Sequence, residues 1–170
     1  DVITDFNTKM NTVVDVNFDV IRYTASNIST AEIEDERDKA INDIAEIMDI
    51  KYFEKTDGSY SVYTTSGQTL IDGQKQNLTY TPPATMNSVI EYTPVSAVNY
   101  QAPGNADYPI GGIPGIFVGE VVAGTDITNG LGAGLMKGLI DLRDTDLPAI
   151  QSQLDELAEK LKIEINKIHN

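Results

Sequence analysis

The sequence predicts an α+β fold: an elongated helical bundle that carries a small antiparallel β meander and an extended loop-rich insert. Three observations predict it. All thirteen glycines lie between Gly58 and Gly138, and six of the seven prolines lie between Pro82 and Pro114. The residues before Gly58 and after Pro148 contain neither type. Helix interiors exclude both, proline for its missing N–H and ring clash, glycine for its backbone entropy. The glycine-free ends carry apolar residues at three- and four-residue spacing, whereas the centre carries turn pairs. The chain therefore divides into helical segments 1–49 and 135–170 around a β- and loop-rich insert 50–134, together one rod-like domain over 1–170.

Residues 2–28 open the helical part. Ile3, Phe6, Met10, Val13 and Val20 fall at helical steps, with Val14, Ile21 and Ile28 beside them, which makes a wide apolar stripe interrupted by Asn17. Several of these residues are β-branched, so packing has to supply the stability that propensity does not. A second helix is predicted over 30–48. Ser29 or Thr30 serves as its N-cap, and Glu32 and Glu34 sit in the first turn, where the helix dipole favours acids. Ile33, Ala40, Ile41, Ile44, Ala45, Ile47 and Met48 form its buried face. The chain between Asn27 and Thr30 is either a break or a bend.

The period changes after residue 49. Asp57-Gly58, Ser66-Gly67 and Asp72-Gly73 punctuate short runs that contain Tyr60, Val62, Leu70 and Ile71, the pattern of a tight antiparallel meander. Further strands are expected at 79–81, 89–93 and 116–122, with a glycine-rich loop over 124–134. Residues 135–144 read as a short helix and 146–168 as a long one. In the long helix Leu147, Ile150, Leu154, Leu157, Leu161 and Ile168 make the stripe, and Pro148 falls in the first turn, where proline is tolerated. Stripes this long make the first and last helices natural neighbours in one bundle.

Composition limits the chemistry. The 170 residues are 41% hydrophobic, enough for one packed domain. The absence of cysteine excludes disulfides and thiolate metal sites. The net charge is −14, and the first 49 residues hold 12 acids against 4 bases. Such a surface repels nucleic acid and anionic membranes. No run of about 18 apolar residues is present to span a bilayer. No initiator methionine or basic-then-apolar leader precedes Asp1, and both ends read as cut from a longer protein.

No catalytic, cofactor or metal site is predicted. Asp141, Asp144 and Asp146 stand beside Arg143 and read as a solvated helix face with ion pairs; their spacing does not fit a calcium loop. His169 is the only histidine and has no nucleophile motif to serve. Gly130-Leu-Gly132-Ala-Gly134-Leu-Met-Lys137-Gly138 fails both the dinucleotide fingerprint and the P-loop. The tyrosines of the centre (Tyr80, Tyr92, Tyr100, Tyr108) lack a basic surround, so packing rather than base stacking is their role. Two Asp-x-Arg-Asp segments stand out, Asp35-Glu36-Arg37-Asp38 and Asp141-Leu142-Arg143-Asp144. We expect the pairs Arg37 with Asp38 and Arg143 with Asp144 to tie helices together at the junction with the meander. Alanine at either arginine is expected to loosen the fold.

The order of motifs is specific. Asp35-Glu-Arg37-Asp38-Lys-Ala-Ile41 runs into Ile44-Ala-Glu-Ile47-Met-Asp-Ile. Asp57-Gly58-Ser-Tyr-Ser-Val62-Tyr and Ser66-Gly67-Gln68-Thr-Leu70-Ile-Asp-Gly73 follow. Much later come Gly138-Leu-Ile-Asp-Leu142-Arg143-Asp144, Leu147-Pro148-Ala-Ile-Gln151, Leu154-Asp-Glu-Leu157-Ala158 and Ile165-Asn166-Lys-Ile-His169. This succession resembles the flagellar hook-associated protein 1 family, the hook–filament junction proteins of bacteria. Residues 76–115 carry no part of it. The resemblance implies a central rod-domain fragment of a non-catalytic, self-assembling subunit that is exported to the extracellular flagellum. It implies as partners the hook protein, the next hook-associated protein, further copies in a ring, and an export chaperone acting on a missing C-terminal segment. The polymerising terminal helices of the family are absent, so the fragment is expected to be monomeric and to need no cofactor. Rival readings are a flagellin-type filament subunit, an extracellular adhesin-like module that binds through residues 76–125, and a hydrolase using the carboxylates from Asp141 to Asp146.

Overall fold

The computed structural model describes residues 1–81 and 115–169. The strand expected at 89–93, three of the four central tyrosines and the prolines from Pro82 to Pro114 lie outside the described residues.

Helix α1 spans Val2–Ala25 and α2 spans Ala31–Ile47. The α1 stripe buries Phe6, Met10, Val13, Val16 and Val20 at helical steps. Burial of each such side chain contributes about 1.5–3 kcal/mol. Asp1 caps the start, its Oδ1 accepting from the Ile3 N–H at 2.8 Å. The end is a break rather than a bend. Asn27 takes a left-handed φ of 52°. The Ile28 N–H reaches the Tyr23 carbonyl, and the Asn27 N–H reaches that of Thr24. This is the hydrogen-bond pattern of a Schellman stop, with asparagine where glycine is commonest. Thr30 stands at the N-cap of α2 but makes no side-chain cap. Its hydroxyl donates instead to the Glu34 carboxylate at 2.6 Å.

The meander has four strands in the order β1 (Ile50–Glu54), β2 (Tyr60–Thr64), β3 (Thr69–Asp72) and β4 (Gln74–Lys75), all antiparallel. The predicted turns at Asp57-Gly58, Ser66-Gly67 and Asp72-Gly73 connect them. The fourth strand, only two residues long, is too short to show a period in the sequence. Two further short strands pair across the insert. In β5 (Leu78–Thr79) and β6 (Phe117–Val118), Leu78 lies opposite Val118 and Thr79 opposite Phe117. The expected strand 116–122 shrinks to β6, because Gly119 turns the chain at once, its N–H going to the Asn77 carbonyl. The loop that follows holds two 3-10 turns, Ala123–Thr125 and Thr128–Gly130. One core joins α1 and α2 to both sheets, with Phe6, Ile44, Met48, Leu70, Ile71 and Val118 buried at its centre.

Two asparagines of α1 fasten that helix to both sheets. The Asn17 amide donates to the Tyr60 carbonyl and accepts from the Tyr60 N–H, each at 2.8 Å. Asn7 does the same with Leu78, at 2.9 and 2.8 Å. Each amide satisfies one residue's N–H and C=O, as a neighbouring strand would. Asn17 is thus the residue that the apolar pattern reads as an interruption. Asn17→Ala leaves two inward-facing backbone groups unpaired, and we expect it to cost about 2 kcal/mol, read as a lower urea midpoint. Thr12→Ala on the same helix, which breaks no such bond, serves as the reference.

The C-terminal part departs from expectation. Helix α3 (Leu135–Asp141) does not end before the long helix. A π turn, Leu142–Asp146, joins it to α4 (Leu147–His169). There the Leu147 N–H reaches back five residues to the Leu142 carbonyl. Pro148 has no N–H for the carbonyl four residues earlier, and departures from the α ladder collect at such points. The expected pairing of the last helix with the first is not made. Leu154, Leu157 and Leu161 are 60%, 63% and 59% exposed, and the polar residues between them are exposed too, so α4 leaves its apolar stripe uncovered by the core.

Candidate functional site

The polar contacts gather at two places, the helix–meander junction and the π turn. At the junction Arg37 is 3% exposed. Its Nη1 donates to the Gly58 carbonyl at 2.6 Å, and its guanidinium lies 3.5 Å from the centroid of the Tyr60 ring. A planar cation over a ring face is attracted by the ring quadrupole, more so once desolvated. Arg37 Nε stands 3.7 Å from Asp38 Oδ1 and makes no hydrogen bond. The Asp38 side chain is 58% exposed. Arg37 therefore reaches the β2 hairpin through a carbonyl and a ring. The Tyr60 hydroxyl is held above its usual pKa, first by burial and then by the nearby Asp38 and Glu54 carboxylates, against the opposing pull of Arg37.

At the π turn Arg143 and Asp144 form a bidentate pair, Nε to Oδ1 at 2.6 Å and Nη2 to Oδ2 at 2.7 Å. Burial opposes the guanidinium charge. The Asp144 carboxylate and the Tyr80 hydroxyl outweigh it and keep Arg143 above its usual pKa. The structure thus places Arg143 beside Tyr80 and the start of α1, away from the meander. Arg143 also lines a mainly apolar cavity of about 310 Å³, together with Ile3, Tyr80, Ile116 and Met136.

A third tie, absent from the sequence reading, is Asp49. Its carboxylate accepts from the Thr65 hydroxyl at 2.7 Å and from the Gly132 N–H at 3.2 Å, joining the end of α2 to the β2–β3 turn and to the loop before α3. Partial burial pushes its pKa up, but the hydrogen bonds from Thr65, Gly132 and Ala133 win and hold it below the usual carboxylate value. A depressed folded pKa means that its stabilisation is complete above the unfolded pKa of about 4 and is lost as pH falls through the lower folded value. We expect Asp49→Asn to flatten the acid limb of stability against pH below about pH 4, read from urea midpoints. An unchanged acid limb counts against it. Nothing in the sequence singled out Asp49, because its partners are 16 and 83 residues away.

The remaining carboxylates at the C-terminal turn are spread along the helix. Asp141 pairs with Lys137 one turn earlier, and Asp144 with Arg143. Among the described residues no three acidic or histidine side chains gather as metal ligands would. His169 ends α4, exposed. Among the described residues no helix is long and apolar enough to cross a membrane. What the surface offers is area. Along α4, Leu147, Ile150, Leu154, Leu157, Leu161 and Ile168 are each at least 47% exposed. A helix that is amphipathic yet solvated on every side is suited to packing against another chain or segment.

Comparison with known proteins agrees with this architecture. The family described as "Flagellar hook-associated protein FlgK helical domain" matches residues 1–170. No curated protein matches the chain. Among solved structures, the flagellar hook junction protein FlgK from Burkholderia pseudomallei superposes with a TM-score of 0.56 at 18% identity. The match covers 84% of this chain and 22% of that one, so the matched part is under a quarter of that protein's length.

Proposed function

The chain belongs to the flagellar hook-associated protein FlgK helical domain family, and from that premise we propose that it is a rod segment of a non-catalytic subunit joining hook to filament. The observation that carries this reading is the exposed apolar stripe of α4, in a chain whose buried Asn17 and Arg37 are spent on holding helices to the meander. Its partners on this reading are the hook protein, the next hook-associated protein and further copies in a ring, with an export chaperone acting outside these residues. Its place is the extracellular flagellum. The 170-residue chain alone is taken as a monomer. A dimer in sedimentation equilibrium that Leu157→Glu dissolves would instead mark α4 as a self-associating seam.

Immunogold electron microscopy on flagellated cells of the source organism, with antibody raised against this chain, tests the assignment. Label confined to the hook–filament boundary is the expected result. Label along the filament would move the chain to a flagellin-type subunit. Label elsewhere on the cell, with none on flagella, would promote the adhesin reading.

A further inference from the structure

We propose that the outer face of Tyr52 is a docking platform for an arginine side chain of a neighbouring protein subunit. Tyr52, Glu54 and Tyr60 share one face of the meander, because residues two apart in a strand point the same way and Tyr60 lies opposite Glu54. The Arg37 guanidinium occupies one face of the Tyr60 ring at 3.5 Å. Tyr52 stacks on Tyr60 with centroids 5.3 Å apart and planes 24° apart. A guanidinium that close fills its own face of the ring, so Tyr52 covers the other. The result is a layered stack of buried cation, ring and ring.

The stack ends in the open. Tyr52 is 49% exposed and stands on β1, a terminal strand of its sheet. The Asp38 and Glu54 carboxylates both bear on Tyr60, so the stack stands in a negative field within a chain of net charge −14. Asp38 stands at the Arg37 end of the stack, and Glu54 shares the Tyr52 face of the sheet, so the open π face has a carboxylate beside it and favours a cation. A second cation there stands two ring layers from Arg37, farther than the screening length of ~8 Å at physiological salt. Arginine fits better than lysine, because its plane lies flat on a ring while its edge nitrogens reach carboxylates. The chain's own arginines are already engaged. Arg37 and Arg143 are held as described, and Arg22 lies over its own Tyr23 ring with Asp19 at 2.8 Å.

The test uses the 170-residue chain with ¹³C-labelled tyrosine rings, titrated with N-acetyl-arginine amide and, in parallel, with its neutral isostere N-acetyl-citrulline amide. We expect saturable shifts of the Tyr52 and Tyr60 ring signals with the arginine probe and none with citrulline. Tyr52→Phe should keep the Tyr60 response, Tyr52→Ala should abolish it, and Glu54→Gln should weaken binding several-fold, each with unchanged core methyl signals. Absent shifts, equal shifts with citrulline, or a Tyr60 response that survives in Tyr52→Ala would each overturn the proposal.

Discussion

Arg37→Ala is expected to destabilise the protein by about 3 kcal/mol. A hydrogen bond from a charged donor contributes about 1.5–3 kcal/mol, and a desolvated cation–π contact about 2. The unpartnered Nε offsets part of that, because it remains desolvated without a bond. For a chain of this length the loss corresponds to a melting temperature lower by roughly 6–12 °C. Arg37→Lys should not restore it, since an ammonium neither lies flat on Tyr60 nor carries the same donor geometry. Asp38→Ala separates the two accounts of this residue. If the Gly58 carbonyl and the Tyr60 ring carry the effect, Asp38→Ala costs under about 0.5 kcal/mol, as exposed ion pairs do. Equal losses at both positions would show that the pair with Asp38 is what matters. For Arg143, whose bidentate partner is its neighbour in sequence, the loss should be smaller and should be felt at Tyr80 and the start of α1.

Gly134→Ala is expected to be worse still, by about 3–5 kcal/mol. Gly134 sits at φ 90° and ψ 176°, a region that costs a residue with a side chain about 1–3 kcal/mol. A Cβ there would also stand 2.7 Å from the Ile47 carbonyl oxygen and 2.9 Å from the Met48 nitrogen. These are backbone atoms at the end of α2 and cannot rotate aside. The urea midpoint should drop, and amide exchange at Ile47 and Met48 should quicken before that of α1. Gly124→Ala is the control. Its Cβ would meet nothing within 4 Å, so the loss should stay under about 1 kcal/mol. Similar losses at both positions would remove the close-approach explanation.

These two positions show what the sequence could and could not disclose. The helices α1 and α2 were legible because Phe6, Met10, Val13 and Ile41, Ile44, Met48 repeat at a period that only a helix satisfies. The meander was legible because Asp57-Gly58 and its two successors are turn chemistry. The α+β class follows from those two signals. Asn7, Asn17 and Asp49 were not legible, because a side chain that pairs with backbone far along the chain leaves no period. Gly134 was visible only as one glycine of a rich run; its role depends on where the end of α2 happens to pass. The stripe of α4 was read correctly as a helix and wrongly as a neighbour of α1, since periodicity says that a face is apolar and not which surface covers it. The π turn was read as a gap between two helices because Pro148 imitates a first-turn proline.

The two asparagine fastenings also set an order of events. The helical pair α1–α2 involves contacts close along the chain and closes early, since loop-closure cost rises with separation. The Asn17 clamp closes over 43 residues and the Asn7 clamp over 71. A chain emerging N-terminus first therefore holds α1 as a loose helix whose amides face water until Tyr60, and then Leu78, have come out. The helix is sealed from its C-terminal half toward its beginning, against the direction in which it was made.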